Sequence, residues 1–380
     1  MLFQTLATIA AMLCVVVAIP MPPFDENSII PVDETQMISI FRDDIDGKDY
    51  RLPNNTIPLN YLIKLETNVH KGDFTFNGTV RIHIQVVTAT KSITLQTRQL
   101  TLINIKLMNI DMSVITSTAI YTQTIDTEFL IINTPDLIAN QEIYVEIDYT
   151  ATLRDDEAGF YRSSYKNLAG DTVWLAVTQF EQTDARHAFP CFDEPGIRAT
   201  FDVQIKHDKS YNAVGNTKST GRIAVSGTDY VITSFERTLK MQTYLVAFLV
   251  SDFTYVENND ETLRHRVYAK KHSIDAGDAA YALENGEKVL RKMEQHFGVP
   301  YSYTKMDQVA VPDFAAGAME NWGLVTYRET GQLWNNETNT RRQKEGILTV
   351  IAHEFAVITQ IKIRLFIYFS SANFFFNTFK

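Results

Sequence analysis

His353 and Glu354 are neighbouring residues of the kinds that serve metal-dependent chemistry. A histidine nitrogen binds zinc, and a carboxylate beside it can polarise a metal-bound water molecule. In the helical motif His-Glu-x-x-His, two histidines four residues apart face one side of the helix and share the ion. The residue four positions after His353 is Val357, whose side chain has no donor atom. The sequence therefore contains one half of this motif and lacks the other.

Residues 317–323 read Gly-Ala-Met-Glu-Asn-Trp-Gly and carry a single carboxylate, at Glu320. Their small side chains permit an extended backbone with which a peptide could pair as an added strand, and Glu320 would project at one end of it. From the residues alone, an ordinary loop or edge strand is the alternative interpretation.

The chain between about residues 51 and 255 has the hydrophobic period of β-strands. Many short alternating strands, with turn signals such as Asn77-Gly78, predict an antiparallel, sandwich- or saddle-like all-β domain. The clearest inward-facing series are Val80, Ile82, Ile84 and Val86; Ile143, Val145, Ile147 and Tyr149; and Phe201, Val203 and Ile205.

Residues 256–356 have the pattern of a mixed α/β domain. A helix is expected over residues 275–297, where apolar residues recur among Glu and Lys, and it ends at Gly298-Val299-Pro300 as helices commonly do. A second helix is expected over about residues 341–357, with Ile347, Ile351 and Phe355 on one broad apolar face.

Length and composition restrict the class of protein. The chain has 380 residues, of which 45% are hydrophobic and 21% charged, which is typical of two or three globular domains. A net charge of −10 offers no basic surface for phosphates, so nucleic acid is not the expected partner. An acidic chain instead tolerates a cationic ligand.

The first fifty residues predict export. Residues 1–18 have the short apolar run of a secretory signal peptide ending near Ala18, with a single buried helix as the alternative. Residues 19–50 form an acidic, proline-containing linker. Glycosylation sequons at Asn54, Asn77 and Asn336 agree with a secreted or cell-surface protein.

The two cysteines do not predict an internal disulfide. Cys14 lies in the predicted signal peptide, which leaves Cys191 as the one cysteine of the mature chain. We interpret Cys191 as a buried, small apolar residue.

Three segments resemble the aminopeptidase N family of zinc aminopeptidases. Residues 317–321 spell its Gly-Ala-Met-Glu-Asn signature, and the following residues through Glu329 are also similar. Residues 178–186, which run into Phe-Pro-Cys-Phe-Asp-Glu-Pro at 189–195, resemble a long motif of the same family, and residues 350–356 resemble the opening of its zinc helix. The resemblance covers about residues 51–356, is closest to insect or vertebrate membrane alanyl aminopeptidases, and implies a thermolysin-like catalytic domain after the β domain.

The resemblance also implies roles for individual residues. Glu181 and Glu320 would hold the free α-ammonium group of a peptide, Glu354 would be the general base, and His353 would be a zinc ligand. The second and third ligand positions fall on Val357 and Phe376, so we expect Zn²⁺ not to be stably bound and this form to be inactive. The implied substrate-binding residues are Gln179, Glu181, Gly317, Ala318, Met319, Glu320 and Asn321.

Residues 357–380 do not continue the family resemblance. They contain six Phe and no Asp or Glu, which favours translated non-coding sequence or a gene-model error and hence a truncated chain. A membrane anchor is disfavoured, because the longest apolar stretch, residues 361–369, is short and contains Lys362 and Arg364, although the complete product could be membrane-attached. The alternatives to a truncated aminopeptidase are a non-catalytic, glycosylated peptide-binding or receptor ectodomain and a product that never accumulates.

Overall fold

The computed structural model describes residues 49–378 except Asn259 and Glu261, with side chains described as far as Thr359. The predicted signal peptide and nearly all of the predicted linker lie outside these residues.

Single-turn 3-10 segments occur at Val69–Lys71, Ala185–His187, Thr243–Leu245 and Glu329–Gly331. The α-helices are α1 (Lys271–Asp275), α2 (Ala280–Phe297) and α3 (Arg341–Thr378). The strands are β1 (Thr56–Thr67), β2 (Thr75–Val86), β3 (Thr90–Gln96), β4 (Thr101–Asn109), β5 (Val114–Thr116), β6 (Tyr121–Gln123), β7 (Phe129–Leu137), β8 (Glu142–Thr152), β9 (Gly159–Lys166), β10 (Thr172–Gln179), β11 (Arg198–Asp208), β12 (Asn212–Gly215), β13 (Ser219–Ala224), β14 (Tyr230–Phe235), β15 (Met241–Gln242), β16 (Phe248–Ser251), β17 (Thr254–Glu257), β18 (Arg264–Ala269), β19 (Lys305–Val311), β20 (Ala318–Met319) and β21 (Leu324–Arg328).

Three sheets build the β-rich part. The largest has the order β13-β14-β11-β1-β2-β8-β4-β5, with β15 also paired to β11. A four-stranded sheet, β12-β16-β10-β9, packs against it through aromatic rings, since Phe160 of β9 lies 5.1 Å from Phe76 of β2 between ring centroids. The third sheet is β3-β7-β6. The all-β fold class predicted from the period-two pattern is confirmed. Among the described strands of this part, β1 and β11 pair in parallel and the other paired strands are antiparallel.

The prediction of a turn at Asn77-Gly78 is wrong, because both residues lie inside β2. Gly78 pairs with Tyr149 of β8, and a Cβ atom at Gly78 would lie 2.2 Å from the Tyr149 ring. The Tyr149 ring therefore occupies the space that a side chain at position 78 would need. Its hydroxyl donates a hydrogen bond to the carbonyl oxygen of Ala188, at 2.8 Å. Glycine is needed at position 78 because it leaves space for the Tyr149 ring. The Asn-Gly pair in the sequence does not indicate this role.

A mixed sheet and helices form the α/β part. The strand order is β17-β18-β19-β21-β20, with β18, β19 and β21 parallel and β17 and β20 antiparallel to their neighbours. Helix α2 ends at Gly298, which has a φ of 66° in the left-handed region and confirms the predicted helix end. It begins at Ala280, five residues after the predicted start, because the chain turns through Gly277 with a φ of 80°. Helix α3 begins at Arg341, as predicted, and continues beyond residue 357.

The β-rich and α/β parts share a core and a set of polar contacts. Lys305 at the start of β19 is buried and donates to the carbonyl oxygens of Gly215 and Gly323. The Asn216 side-chain amide donates to Trp322 O at 3.0 Å, which ties the end of β12 to the loop before β21. Cys191 is free and buried, as expected. Within the described part of the chain, no helix is long and apolar enough to cross a membrane.

We predict that Gly78→Ala lowers the free energy of unfolding by about 1–3 kcal/mol, the usual cost of overpacking, because the added methyl group displaces Tyr149. Urea denaturation of the purified protein measures this change. Gly221→Ala in β13 is the matched control, because nothing lies within 4 Å of its added Cβ. Equal stability of the two variants would contradict the assigned role of Gly78.

His207 predicts acid sensitivity of the fold. Burial lowers its pKa from 6.5 to about 4, with Arg222 and His70 adding to the effect and Asp208 opposing it. The unfolded chain therefore takes up a proton at a higher pH than the folded chain, so stability is lost as pH falls below about 6.5. We expect His207→Gln to lose about 2 kcal/mol less than the parent between pH 7 and pH 5 in urea denaturation. Parallel losses in both proteins would show that His207 does not contribute.

Candidate active site

The first acidic residue of the site follows β10. Gln179 ends that strand, is nearly buried, and its Oε1 atom has no hydrogen-bond partner in the described structure. Glu181 comes two residues later, past the buried ring of Phe180. Its side chain is open to solvent on one side, while the surrounding protein desolvates the carboxylate and raises its pKa. The Gln179 amide and the Glu181 carboxylate thus both lie at the C-terminal end of β10.

A buried ion pair fixes the segment that leaves Glu181. Arg186 Nε lies 3.0 Å from Asp193 Oδ2, and its Nη1 atom lies 2.8 Å from Glu128 Oε2. The Arg186 backbone N–H also donates to Asp193 Oδ2, and the Asp193 N–H donates to the side chain of Gln96. Burial raises the pKa of Asp193 to about 6, an effect that Arg186 opposes. Because one side chain satisfies several buried groups, this loop has little freedom to move.

The second acidic residue follows an edge strand. Ala318 and Met319 form β20, which pairs with β21 and ends the order of the five-stranded sheet. Met319 and Asn321 are buried, and the Asn321 amide donates to Thr326 Oγ1 at 3.2 Å. Because side chains alternate along an extended chain, Ala318 and Glu320 belong to the opposite, more open face. Gly317 is exposed and its carbonyl oxygen accepts from the Arg328 N–H at 3.0 Å.

The third acidic residue lies on helix α3. Glu354 is buried, and its pKa is raised to about 8 by burial first and then by the charges of Glu320 and Glu181. The pKa of Glu320 is raised by burial and by Glu181. The charges of Glu181 and Glu320 therefore act on Glu354, although the three residues follow β10, follow the edge strand β20 and lie on a helix. His353 is exposed, so the structure does not bury it with Glu354.

Tyr327 of β21 is a residue of the site that the sequence reasoning missed. It is fully buried, its pKa is raised by burial and by the charge of Glu354, and its hydroxyl has no hydrogen-bond partner in the described structure. The available signal was its place in the motif that runs from Trp322 to Glu329, where it ends a continuous run of buried residues in a short strand.

The described residues do not fit a catalytic zinc ion. Such a site needs about three protein ligands and an open position. His353 is exposed, and Val357, on the same face of α3 one turn later, offers only methyl groups. Among the residues that the structure describes, no group of three or more His, Cys, Asp or Glu side chains could hold a metal ion.

Comparison with known proteins places this arrangement in a class of peptidases. Residues 57–245 match the family model described as the peptidase M1 N-terminal domain, and residues 281–357 match the peptidase family M1 domain. Together these two matches account for most of the described chain. The protein therefore belongs to the M1 family of peptidases, and the expected resemblance to aminopeptidase N is confirmed.

The relatives are aminopeptidases. Aminopeptidase Ey of Gallus gallus is 45% identical over 210 residues, covering 55% of this chain and 22% of that protein. Aminopeptidase N of Canis lupus familiaris is 35% identical over 319 residues, covering 81% of this chain and 33% of that protein. Membrane alanyl aminopeptidase of Heliothis virescens is 34% identical over 368 residues, covering 90% and 36%. The chain thus spans about a third of the length of the last two relatives.

We predict that Val357→His raises zinc affinity, because it places a second imidazole one helical turn after His353 on the same face. The measurement is equilibrium dialysis against zinc followed by metal analysis. Val357→Ala is the matched control, since it changes the side chain without adding a donor atom. Stoichiometric zinc in the parent chain, or equal zinc in the two variants, would show that position 357 does not limit metal binding.

Proposed function

We propose that this chain recognises the free α-ammonium group at the N-terminus of peptides, and that without further zinc ligands it binds such peptides without hydrolysing them. The observation that supports this most directly is that burial, together with the charges of Glu320 and Glu181, raises the pKa of Glu354 to about 8. Like charges held together in a desolvated place are unfavourable unless a cation joins them.

The magnitude of the attraction is sufficient for selection. One ammonium–carboxylate pair about 4 Å apart contributes about 4 kcal/mol at an effective dielectric constant of about 20. An internal peptide bond has no charge and gains none of this energy. The acidic site would therefore discriminate a chain end from an internal segment, which is the specificity that an aminopeptidase needs.

The surrounding groups suit the rest of a peptide. Strand β20 lies at a sheet edge and Gly317 is exposed, so a peptide could add to the edge by backbone hydrogen bonds. The buried Gln179 Oε1 atom, which has no partner among the described residues, is an acceptor available to an N–H group of the ligand. We infer that the ammonium lies between Glu181 and Glu320 and that the first residues run along β20.

Hydrolysis is the second part of the proposal. The resemblance to aminopeptidase N implies that Glu354 is the general base. Without enough zinc ligands, however, no metal-bound water is activated for Glu354 to deprotonate. The chain as written would then bind a substrate without turning it over. The alternative is a non-catalytic ectodomain that uses the same acidic site for binding. It also requires Glu181 and Glu320 to hold the ammonium group of the peptide.

Export through the secretory pathway remains part of the proposal. The sequon residues Asn54, Asn77 and Asn336 are all exposed in the structure, as glycosylation requires. The relatives include proteins named as membrane and endoplasmic reticulum aminopeptidases. We therefore propose a luminal or extracellular location, with glycans on some of these asparagines.

We predict that the purified chain binds a tetrapeptide with a free N-terminus at least about tenfold more tightly than its N-acetylated counterpart, because acetylation removes the positive charge. Glu320→Gln should abolish most of this difference by removing one carboxylate. Isothermal titration calorimetry measures both affinities, and an aminoacyl-arylamide assay should show no turnover.

Glu345→Gln is the matched control for this experiment. Glu345 is an exposed carboxylate on the same helix as Glu354 and pairs with Arg341 at 3.0 Å, so its loss should leave binding unchanged. Equal affinity of the parent for the free and acetylated peptides would contradict amine recognition. Turnover of the arylamide above background would contradict the inactive state.

A further inference from the structure

Asp313, in the loop between β19 and β20, is held by the neighbouring β-rich part. Its Oδ2 atom accepts from the Ser163 hydroxyl at 2.9 Å and from the Ser164 N–H at 3.3 Å, and its own N–H donates back to Ser163 Oγ at 3.2 Å. The Tyr161 hydroxyl donates to the Asp313 carbonyl oxygen at 2.8 Å. We call this set of contacts the Asp313 clamp.

The clamp and the first acidic residue share one ribbon of chain. Strand β9, which carries Tyr161 and Ser163, pairs with β10 along its whole length, with Tyr161 opposite Val177 and Gly159 opposite Gln179. Glu181 follows Gln179 by two residues. A displacement of β9 relative to Asp313 would therefore also displace Glu181.

The other side of the same loop is held by β21. The Arg328 side chain donates to the carbonyl oxygens of Phe314 at 2.9 Å and Ala315 at 2.6 Å. Its backbone N–H donates to Gly317 O at 3.0 Å. The loop is thereby tied at both ends, and it leads directly into β20 and Glu320.

We propose that Asp313 is a positioning residue for amine recognition, because the clamp fixes Glu320 on one part of the chain relative to Glu181 on the other. This inference rests on the proposed function. The buried Ser163 hydroxyl donates to the Asp313 carboxylate, and a hydrogen bond to an ionised group is stronger than one between neutral groups, while the buried Tyr161 hydroxyl holds the Asp313 backbone. Two carboxylates that must meet one ammonium group need their separation held to within a fraction of an ångström, which is what supporting hydrogen bonds supply.

The test compares Asp313→Ala with Asp313→Asn. Alanine removes the acceptor for Ser163 and Ser164, whereas asparagine keeps one acceptor oxygen, so asparagine should restore most of what alanine loses. Asp136→Ala is the control, because Asp136 is an exposed carboxylate on β7 that pairs with Lys91 at 2.9 Å. The probes are the free and N-acetylated tetrapeptides in calorimetry, together with hydrogen–deuterium exchange of residues 312–320.

We expect Asp313→Ala to weaken binding of the free peptide about tenfold, to leave the weak binding of the acetylated peptide unchanged, and to accelerate exchange of residues 312–320. A merely structural role would not alter the preference for a free amine. Faster exchange with parental binding, or unchanged exchange, would overturn the proposal.

If the unsubstituted chain binds the free and N-acetylated peptides equally, the proposed function itself is wrong. This result is distinguishable from failure of the positioning role, because it is obtained before any substitution is made. Should Asp313→Ala fail to fold, Ser163→Ala and Tyr161→Phe each remove one hydroxyl of the clamp. Both must then reduce the preference for the free peptide, and parental preference in both would overturn the positioning role.

Discussion

The repulsion among Glu181, Glu320 and Glu354 is the constraint on which the organisation of this protein depends. Burial first, and then the charges of Glu320 and Glu181, raise the pKa of Glu354 to about 8, so bringing these carboxyl groups together is unfavourable and needs support from the fold. Each is carried by a different element that is anchored elsewhere. The Arg186–Asp193 ion pair holds the segment after Glu181, pairing with β21 holds the approach to Glu320, and the apolar face of α3 holds Glu354. The fold thereby holds Glu181 and Glu320 near Glu354, whose pKa of about 8 keeps it largely protonated at neutral pH.

Aromatic hydroxyl groups connect the β-rich core to the segment that follows Glu181. The Tyr149 hydroxyl donates to Ala188 O, and the Tyr61 hydroxyl accepts from the Phe192 N–H at 3.0 Å. Both rings are buried, and burial raises the pKa of both phenols, so they stay protonated at ordinary pH. A buried ring combines apolar packing with one directed polar contact. The β-sandwich therefore supports this loop, and Tyr149 contacts both Gly78 in the sheet and Ala188 in the loop.

In helix α3, the residues that pack the helix differ from those at the positions of the predicted metal ligands. The helix begins where the hydrophobic spacing predicts, buries Ile347, Ile351 and Phe355, and places Glu354 within reach of the charges of Glu181 and Glu320. Its packing needs only apolar residues at helical spacing, so it is indifferent to the identity of the more exposed positions 353 and 357. Val357 accordingly leaves the helix intact while removing a donor atom. The packing of α3 thus makes no demand on a donor atom at position 357.

The sequence by itself determined the features that depend on local pattern. The period-two series of β2, β8 and β11, the end of α2 at Gly298 and the start of α3 at Arg341 follow from spacing and from residue type. The motif residues Gln179, Glu181, Glu320 and Glu354 could be named from resemblance, and the missing donor at Val357 could be read directly. The tertiary structure decided how these pieces meet: the parallel pairing of β1 with β11, the space that Gly78 leaves for Tyr149, the approach of Tyr327 to Glu354, and the hold of Ser163 on Asp313. These contacts join residues far apart in the chain, and no periodicity specifies which distant strand a side chain will face, because that depends on how whole sheets pack.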